Sequence, residues 1–348
     1  MIAARKLVEA LEIGASVAFS ATPGPLWRVS AGRPIEVDGQ VLDREAQALA
    51  RSSRLLGLQR DDLTPAQERA RSRHGARLAR GRTIRVGEVR DVTVPGGAGQ
   101  LDARLYAPPG SSGPGPLLVY FHGGGYVVGD LLTHDQPCRF ICRELRTRVL
   151  SVAYRLAPEH PFPAAFEDAV AAFGHAVENA GAYGADPDAV SAGGDSAGGG
   201  LSLALALAAR DGAVPAPASL ALIYPFCDLA RKRRSYELFR EGFFLTEGML
   251  DRWSGYCTRP GDRADPRISP LLAEDLSGLP PTRLMVAGFD PLRDEGLALA
   301  ERMRSAGNEV ALTFAPDLVH GFVNAIGVSE RAREALGEFC ASAPRAGA

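Results

Sequence analysis

Residues 192–200 read Ala-Gly-Gly-Asp-Ser-Ala-Gly-Gly-Gly, and the five from Gly194 to Gly198 fit G-x-S-x-G. In that pattern a sharp strand-to-helix turn holds a serine away from the backbone. A strained turn of this kind accepts Ser196 only if Gly194 and Gly198 leave room for the chain to double back. Five residues also match an ordinary glycine-rich turn, so the flanks decide. Asp188-Ala189-Val190-Ser191-Ala192 precedes as a short strand-like run. Leu201 to Ala209 follows, apolar, unbranched and too long for a strand, which predicts a buried helix. Strand, tight turn and helix come in the order a nucleophile elbow requires.

The alternation extends outward. Leu117–Phe121, Arg148–Ala153, Ala189–Gly193, Leu220–Tyr224, Arg283–Ala287 and Val310–Phe314 read as short apolar strands. Helical segments separate them at about 133–145, 164–179, 198–210, 294–306 and 330–340. Strands apolar on both faces, alternating with helices, predict an α/β fold with a mostly parallel central sheet flanked by helices. Arg85–Val94 and Leu101–Tyr106, around Pro95-Gly96-Gly97-Ala98-Gly99, predict an antiparallel hairpin ahead of it. Almost sixty residues separate Tyr224 from Arg283, far more than an ordinary connection. They hold Phe239, Phe243, Phe244, Trp253 and Tyr256, and read either as a lid over Ser196 or as a satellite core. Residues 1–84 read as a separate helical segment, with a helix start at Thr64-Pro65. The expected division is thus 1–84 helical cap segment, 85–225 core, 226–278 cap insertion and 279–348 core.

The chain has 348 residues, 46% hydrophobic and 23% charged, with a formal net charge of −2. That balance offers no footprint for nucleic acid, and Arg231-Lys232-Arg233-Arg234 reads as a solvated surface run. No run of about 18 uncharged apolar residues exists, which excludes a membrane-spanning helix. Ile13–Ala21 imitates a short signal core, but Glu9 and Glu12 replace its cationic flank, so an amphipathic helix is expected there. Five cysteines without metal-like clustering read as free thiols of a cytoplasmic protein.

A serine hydroxyl becomes a useful nucleophile only beside a base that is itself oriented by a carboxylate. On an elbow of this type the chain order is Ser, Asp or Glu, then His. Of the six histidines, His320 alone follows Ser196, directly after the last strand. Asp290 stands at the carboxyl end of the preceding strand and is the expected orienter. Asp294, in the first turn of the next helix, reads as a helix-start residue. Gly123, Gly124 and Gly125 follow the strand that ends at Phe121. The amides of Gly123 and Gly124, with that of Ala197, are the expected oxyanion donors. Asp195, Tyr126, Phe243 and Phe244 are expected against the substrate. His122 reads as a residue shaping the glycine turn, and Tyr154, Arg155, Glu159 and His160 as ties between loops beneath the site.

His122-Gly123-Gly124-Gly125, Tyr154 to Ala165, Gly194 to Gly199, Asp290 to Gly296 and His320-Gly321-Phe322 together resemble the signature set of the hormone-sensitive-lipase family of α/β-hydrolases, the bacterial family IV esterases. The resemblance runs from about residue 85 to 340. It implies an α/β-hydrolase fold, Ser196, Asp290 and His320 as a triad, and a cap built from the N-terminus and the long insertion. It implies hydrolysis of short- to medium-chain carboxylic esters, with no metal or organic cofactor. A small-molecule ester is the expected partner of the chain, and a homodimer is one assembly open to it. A deacetylase or lactonase would use the same machinery. A ligand-binding receptor is disfavoured because all three triad residues are present. Gly200 departs from the family, which often carries Asn there.

Overall fold

The computed structural model describes residues 31–55 and 63–342, and the helix expected near Ile13–Ala21 lies outside them. Eight strands form one sheet: β1 (Glu88–Gly96), β2 (Gly99–Ala107), β3 (Gly115–Phe121), β4 (Arg148–Val152), β5 (Ala185–Asp195), β6 (Leu220–Ile223), β7 (Thr282–Phe289) and β8 (Val310–Val319). Their spatial order is β1-β2-β4-β3-β5-β6-β7-β8. The β1–β2 hairpin is antiparallel, β2 joins β4 antiparallel, and every later pair is parallel. A two-residue ladder, Glu36–Val37 with Gln40–Val41, forms a separate small sheet that packs beside β8.

Alternation along β3 explains the layering. Leu117, Val119 and Phe121 enter one buried cluster with Phe173 and Leu203, while Leu118 and Tyr120 enter a second with Ile141 and Phe339. Successive strand side chains point to opposite faces, so a continuously apolar strand must be covered on both. Helices α4 (Ala164–Glu178), α5 (Ala197–Arg210) and α8 (Arg293–Ser305) cover the first face. Helices α3 (Asp135–Glu144) and α9 (Glu330–Ala341) cover the second.

Two N-terminal helices precede the sheet, α1 (Arg44–Leu55) and α2 (Pro65–Leu78). The expected start of α2 is a complete capping box: Thr64 accepts from the Gln67 amide, and the Gln67 side chain accepts from that of Thr64. The long insertion holds α6 (Arg234–Leu238) and α7 (Glu247–Cys257). Its basic run faces carboxylates: Arg231 pairs with Asp228, Lys232 with Glu247 and Asp251, and Arg234 with Asp38.

Strand β8 reaches Val319 rather than ending at Phe314. Its pairing with β7 slips after Ala315, beside Pro316, and resumes where Val319 lies opposite Phe289. That last pair sets the next residues, His320 and Asp290, side by side.

Candidate active site

Ser196, Asp290, His320 and the glycine loop all leave the carboxyl ends of parallel strands, the edge where ligands bind in such sheets. Ser196 follows β5 with φ 54° and ψ −120°, outside the usual regions for a side-chain-bearing residue. Its amide donates to Ile223 (2.9 Å), and its carbonyl accepts from Gly200 (3.0 Å) and Phe226 (2.9 Å). The two glycines are sterically required. A Cβ on Gly194 or on Gly198 would collide with the Phe121 carbonyl oxygen at the end of β3.

Ser196 Oγ lies 2.9 Å from His320 Nε2, and His320 Nδ1 lies 2.7 Å from Asp290 Oδ2. The other Asp290 oxygen accepts the Leu292 amide at 2.8 Å, and the carboxylate is wholly buried. A buried acceptor beside Nδ1 places the imidazole proton there and leaves the Nε2 lone pair for the serine hydroxyl. The Tyr224 ring lies 4.5 Å from that of His320 and limits how far the imidazole can swing. Asp294 is engaged elsewhere: it accepts from the Ser235 amide (2.8 Å) and pairs with Arg293.

On the oxyanion side the structure corrects one expectation. The Gly123 amide donates to Asp195 Oδ1 at 2.9 Å, so it is not available to a substrate oxygen. The amides of Gly124, Gly125 and Ala197 have no protein acceptor among the described residues. Asp195 lines the cavity, yet its carboxylate is engaged within the protein, receiving Tyr120 Oη–H at 2.7 Å and facing His134 Nε2 at 3.3 Å. Burial raises its pKa, but His134 and these hydrogen bonds outweigh burial and hold it below the usual carboxylate range. Asp195 thus anchors the glycine loop instead of meeting substrate.

His122 has the shaping part expected of it. Its Nδ1 lies 2.8 Å from the Gly123 carbonyl, and its ring stacks on Tyr154 at 4.4 Å. Burial, reinforced by the neighbouring His134, lowers its pKa to about 4, so it is neutral at physiological pH. Among the loop ties, Arg155 meets Asp168 and Glu159 meets Arg69.

A cavity of about 550 Å³ opens on Ser196 and His320. Its walls are mainly apolar, including Leu49, Val128, Phe244, Leu245, Met249 and Trp253. Helices α2 and α7, almost two hundred residues apart in sequence, both line it. Phe243 does not. It packs at 5.5 Å on Phe239 and 5.4 Å on Phe289 in the core beneath, while the positive φ of Phe244 (67°) turns the chain between the two neighbours. Tyr126 is corrected too: it is buried on the far side of the loop, near Gly200 and Phe162, away from the cavity. Sequence reading missed Glu68, Tyr120, His134 and Tyr224. Only the first could have drawn notice, as an acid within an arginine-rich helix.

Among the described residues no cluster of three His, Cys, Asp or Glu side chains forms a metal site, and no helix is long and apolar enough to cross a membrane.

Residues 118–324 match a family described by the α/β-hydrolase fold. The chain is 47% identical over 314 residues to the carboxylic ester hydrolase LipN of Mycobacterium tuberculosis, covering 87% of this chain and 82% of that protein. It is 39% identical over 241 residues to an ethyl acetate hydrolase of Pseudomonas putida, covering 68% and 76%. An ester-hydrolase from the metagenome of Lake Arreo, solved with a derivative of bipyridine phosphonate, superposes with a TM-score of 0.82 at 38% identity, covering 86% and 97%. With the elbow, the relay behind it and this similarity along most of its length, the chain belongs to the hormone-sensitive-lipase-like family IV esterases of the α/β-hydrolase superfamily.

Proposed function

We propose that this protein is a carboxylesterase that cleaves short- to medium-chain esters through a covalent acyl-enzyme, with Ser196 as nucleophile, His320 as base and Asp290 as its orienting acid. The observation that carries the reading is the continuous relay Asp290–His320–Ser196, with links of 2.7 and 2.9 Å, at the floor of a largely apolar cavity. His320 Nε2 takes the hydroxyl proton as Ser196 Oγ attacks the ester carbonyl. The carbonyl oxygen becomes an oxyanion held by the amides of Gly124, Gly125 and Ala197. As the tetrahedral intermediate collapses, the carbon–oxygen bond to the alcohol breaks and His320 returns its proton to the leaving oxygen. Water then repeats the sequence on the acyl-serine: His320 takes a proton from it, the oxyanion forms again, and the carboxylic acid leaves as Ser196 regains its proton.

The apolar lining supports alkyl esters, since each buried methylene contributes about 0.8 kcal/mol. Helices α1, α2 and α7 act as the cap over this pocket, supported by their side chains in its wall. Free, buried thiols at all five cysteines support a cytoplasmic location. The test is a hydrolysis profile across p-nitrophenyl esters of increasing acyl length, repeated with Ser196→Ala. We expect a maximum between about four and eight carbons, where the next methylene meets the pocket wall. We also expect no acylation burst in the variant. Unchanged turnover by folded Ser196→Ala would remove the assignment.

A further inference from the structure

Glu68 is a carboxylate in an unusual place for a helix residue of an arginine-rich segment. It is 1% exposed and borders the cavity wall. Its Oε2 accepts the indole N–H of Trp253 at 2.7 Å, and its Oε1 accepts from Arg252 at 2.7 Å. The bond to Trp253 spans 185 residues and joins α2 to α7. Burying a carboxylate is costly unless its oxygens are partnered. Here both are, and one of them fixes the orientation of an aromatic ring.

That ring lies on the oxyanion loop. A Cβ added to Gly125 would fall on Trp253 Cε3, 2.9 Å from Cδ2 and 3.1 Å from Cζ3, so the indole presses on the only side of Gly125 a side chain could occupy. Helix α2, which carries Glu68, holds this loop further along. Arg69 Nε donates to the Val127 carbonyl and Arg69 Nη2 to that of Ala157, both at 2.8 Å. Arg73 pairs with Asp130, whose carboxylate receives the amides of Leu132 and Thr133. Between these points, the amides of Val127 and Val128 close onto the Gly124 carbonyl.

We propose that Glu68 is a positioning residue for ester hydrolysis: by holding the Trp253 indole against Gly125 it sets the direction of the Gly124 and Gly125 amides, so that the helices over the cavity help to shape the oxyanion hole. Glu68 touches no reacting atom and acts through Trp253. The inference rests on the acyl-enzyme reading above and extends it to the cap.

The experiment compares Glu68→Leu, Glu68→Gln, Trp253→Phe and the double variant Glu68→Leu/Trp253→Phe. Each is assayed for kcat and KM on p-nitrophenyl acetate and for Ki of an alkyl trifluoromethyl ketone, which binds as a hemiketal oxyanion on Ser196. Misplacing a reacting group by about an ångström costs up to about 100-fold. A partial shift of the amides should therefore lower kcat by about tenfold or more in Glu68→Leu and in Trp253→Phe. KM should stay within about threefold, and the ketone Ki should rise in step with the loss in kcat. Glu68→Gln, which keeps an acceptor for the indole, should retain most activity. The double variant should be no worse than the poorer single, since both remove one interaction. A folded Glu68→Leu with wild-type kcat and ketone Ki would overturn the proposal, as would losses that multiply in the double variant. A raised KM with unchanged kcat would overturn it too, by assigning Glu68 to ground-state binding. If Glu68→Leu does not fold, a Trp253→Phe enzyme with wild-type kcat and Ki is sufficient to overturn it. Turnover that survives Ser196→Ala would instead sink the parent reading, which separates the two failures.

Discussion

Replacing Asp290 by Asn is the sharpest single test of the relay, because the surrounding hydrogen bonds dictate how the new amide must sit. Asp290 accepts twice, from the Leu292 amide at 2.8 Å and from His320 Nδ1 at 2.7 Å. An asparagine keeps the Leu292 bond only with its carbonyl oxygen in that place, which turns its NH₂ toward His320. Nδ1 must then become the acceptor, and the imidazole proton moves to Nε2, where it faces Ser196 Oγ across the 2.9 Å gap. The base has lost the lone pair it needs, with the backbone unchanged. Such a tautomer error in a serine triad costs about 10⁴ in kcat, or about 5 kcal/mol of transition-state stabilisation. Asp294→Asn keeps one oxygen to accept from the Ser235 amide and loses the charge that faces Arg293, and neither partner touches the imidazole. It should cost a few-fold at most. Both variants are assayed for kcat/KM on a p-nitrophenyl ester, with thermal unfolding as a control. The reasoning fails if folded Asp290→Asn stays within about tenfold of wild type, or if Asp294→Asn is the more damaging.

The two adjacent aromatics should separate cleanly: Phe244→Ala opens the cavity and moves the preferred acyl length upward, whereas Phe243→Ala leaves the profile in place and costs about 3–5 kcal/mol of stability as a core truncation. An acyl profile shifted by Phe243→Ala alone would contradict their placement. His122 should make the fold acid-labile. The unfolded chain binds its proton as pH falls through the ordinary value of 6.5, the folded chain only near 4, so stability present above pH 6.5 is lost at about 1.4 kcal/mol per pH unit across that window. Urea unfolding of wild type and His122→Asn between pH 7 and 4 checks this, and equal slopes would refute it.

The parallel sheet was readable because its strands are apolar on both faces, and the meeting of Ser196 with His320 because only one histidine follows the elbow. Peptide orientation was not. Three successive glycines leave open which amide faces the cavity, and the answer depends on Asp195, whose carboxylate reaches back from the next strand to claim Gly123. Tyr126 and the Phe243-Phe244 pair lie in irregular backbone, where positive φ at Tyr126 and Phe244 redirects the chain and no period of two or 3.6 applies. Glu68 reads as a solvated helix acid until the fold brings Trp253 to it across 185 residues. Contacts this remote in sequence have no local signature.

The relay spans 124 residues from Ser196 to His320. A ribosome extending the protein at about 5–20 residues per second therefore exposes the elbow roughly 6–25 s before the histidine that activates it. Throughout that interval the nascent chain carries a serine with no base and a cavity lacking the wall supplied by β8 and the segment after it. On the proposed mechanism hydrolytic competence arrives only once His320 has followed the elbow, and any product of premature termination before residue 320 should be catalytically silent, however well its earlier strands have folded.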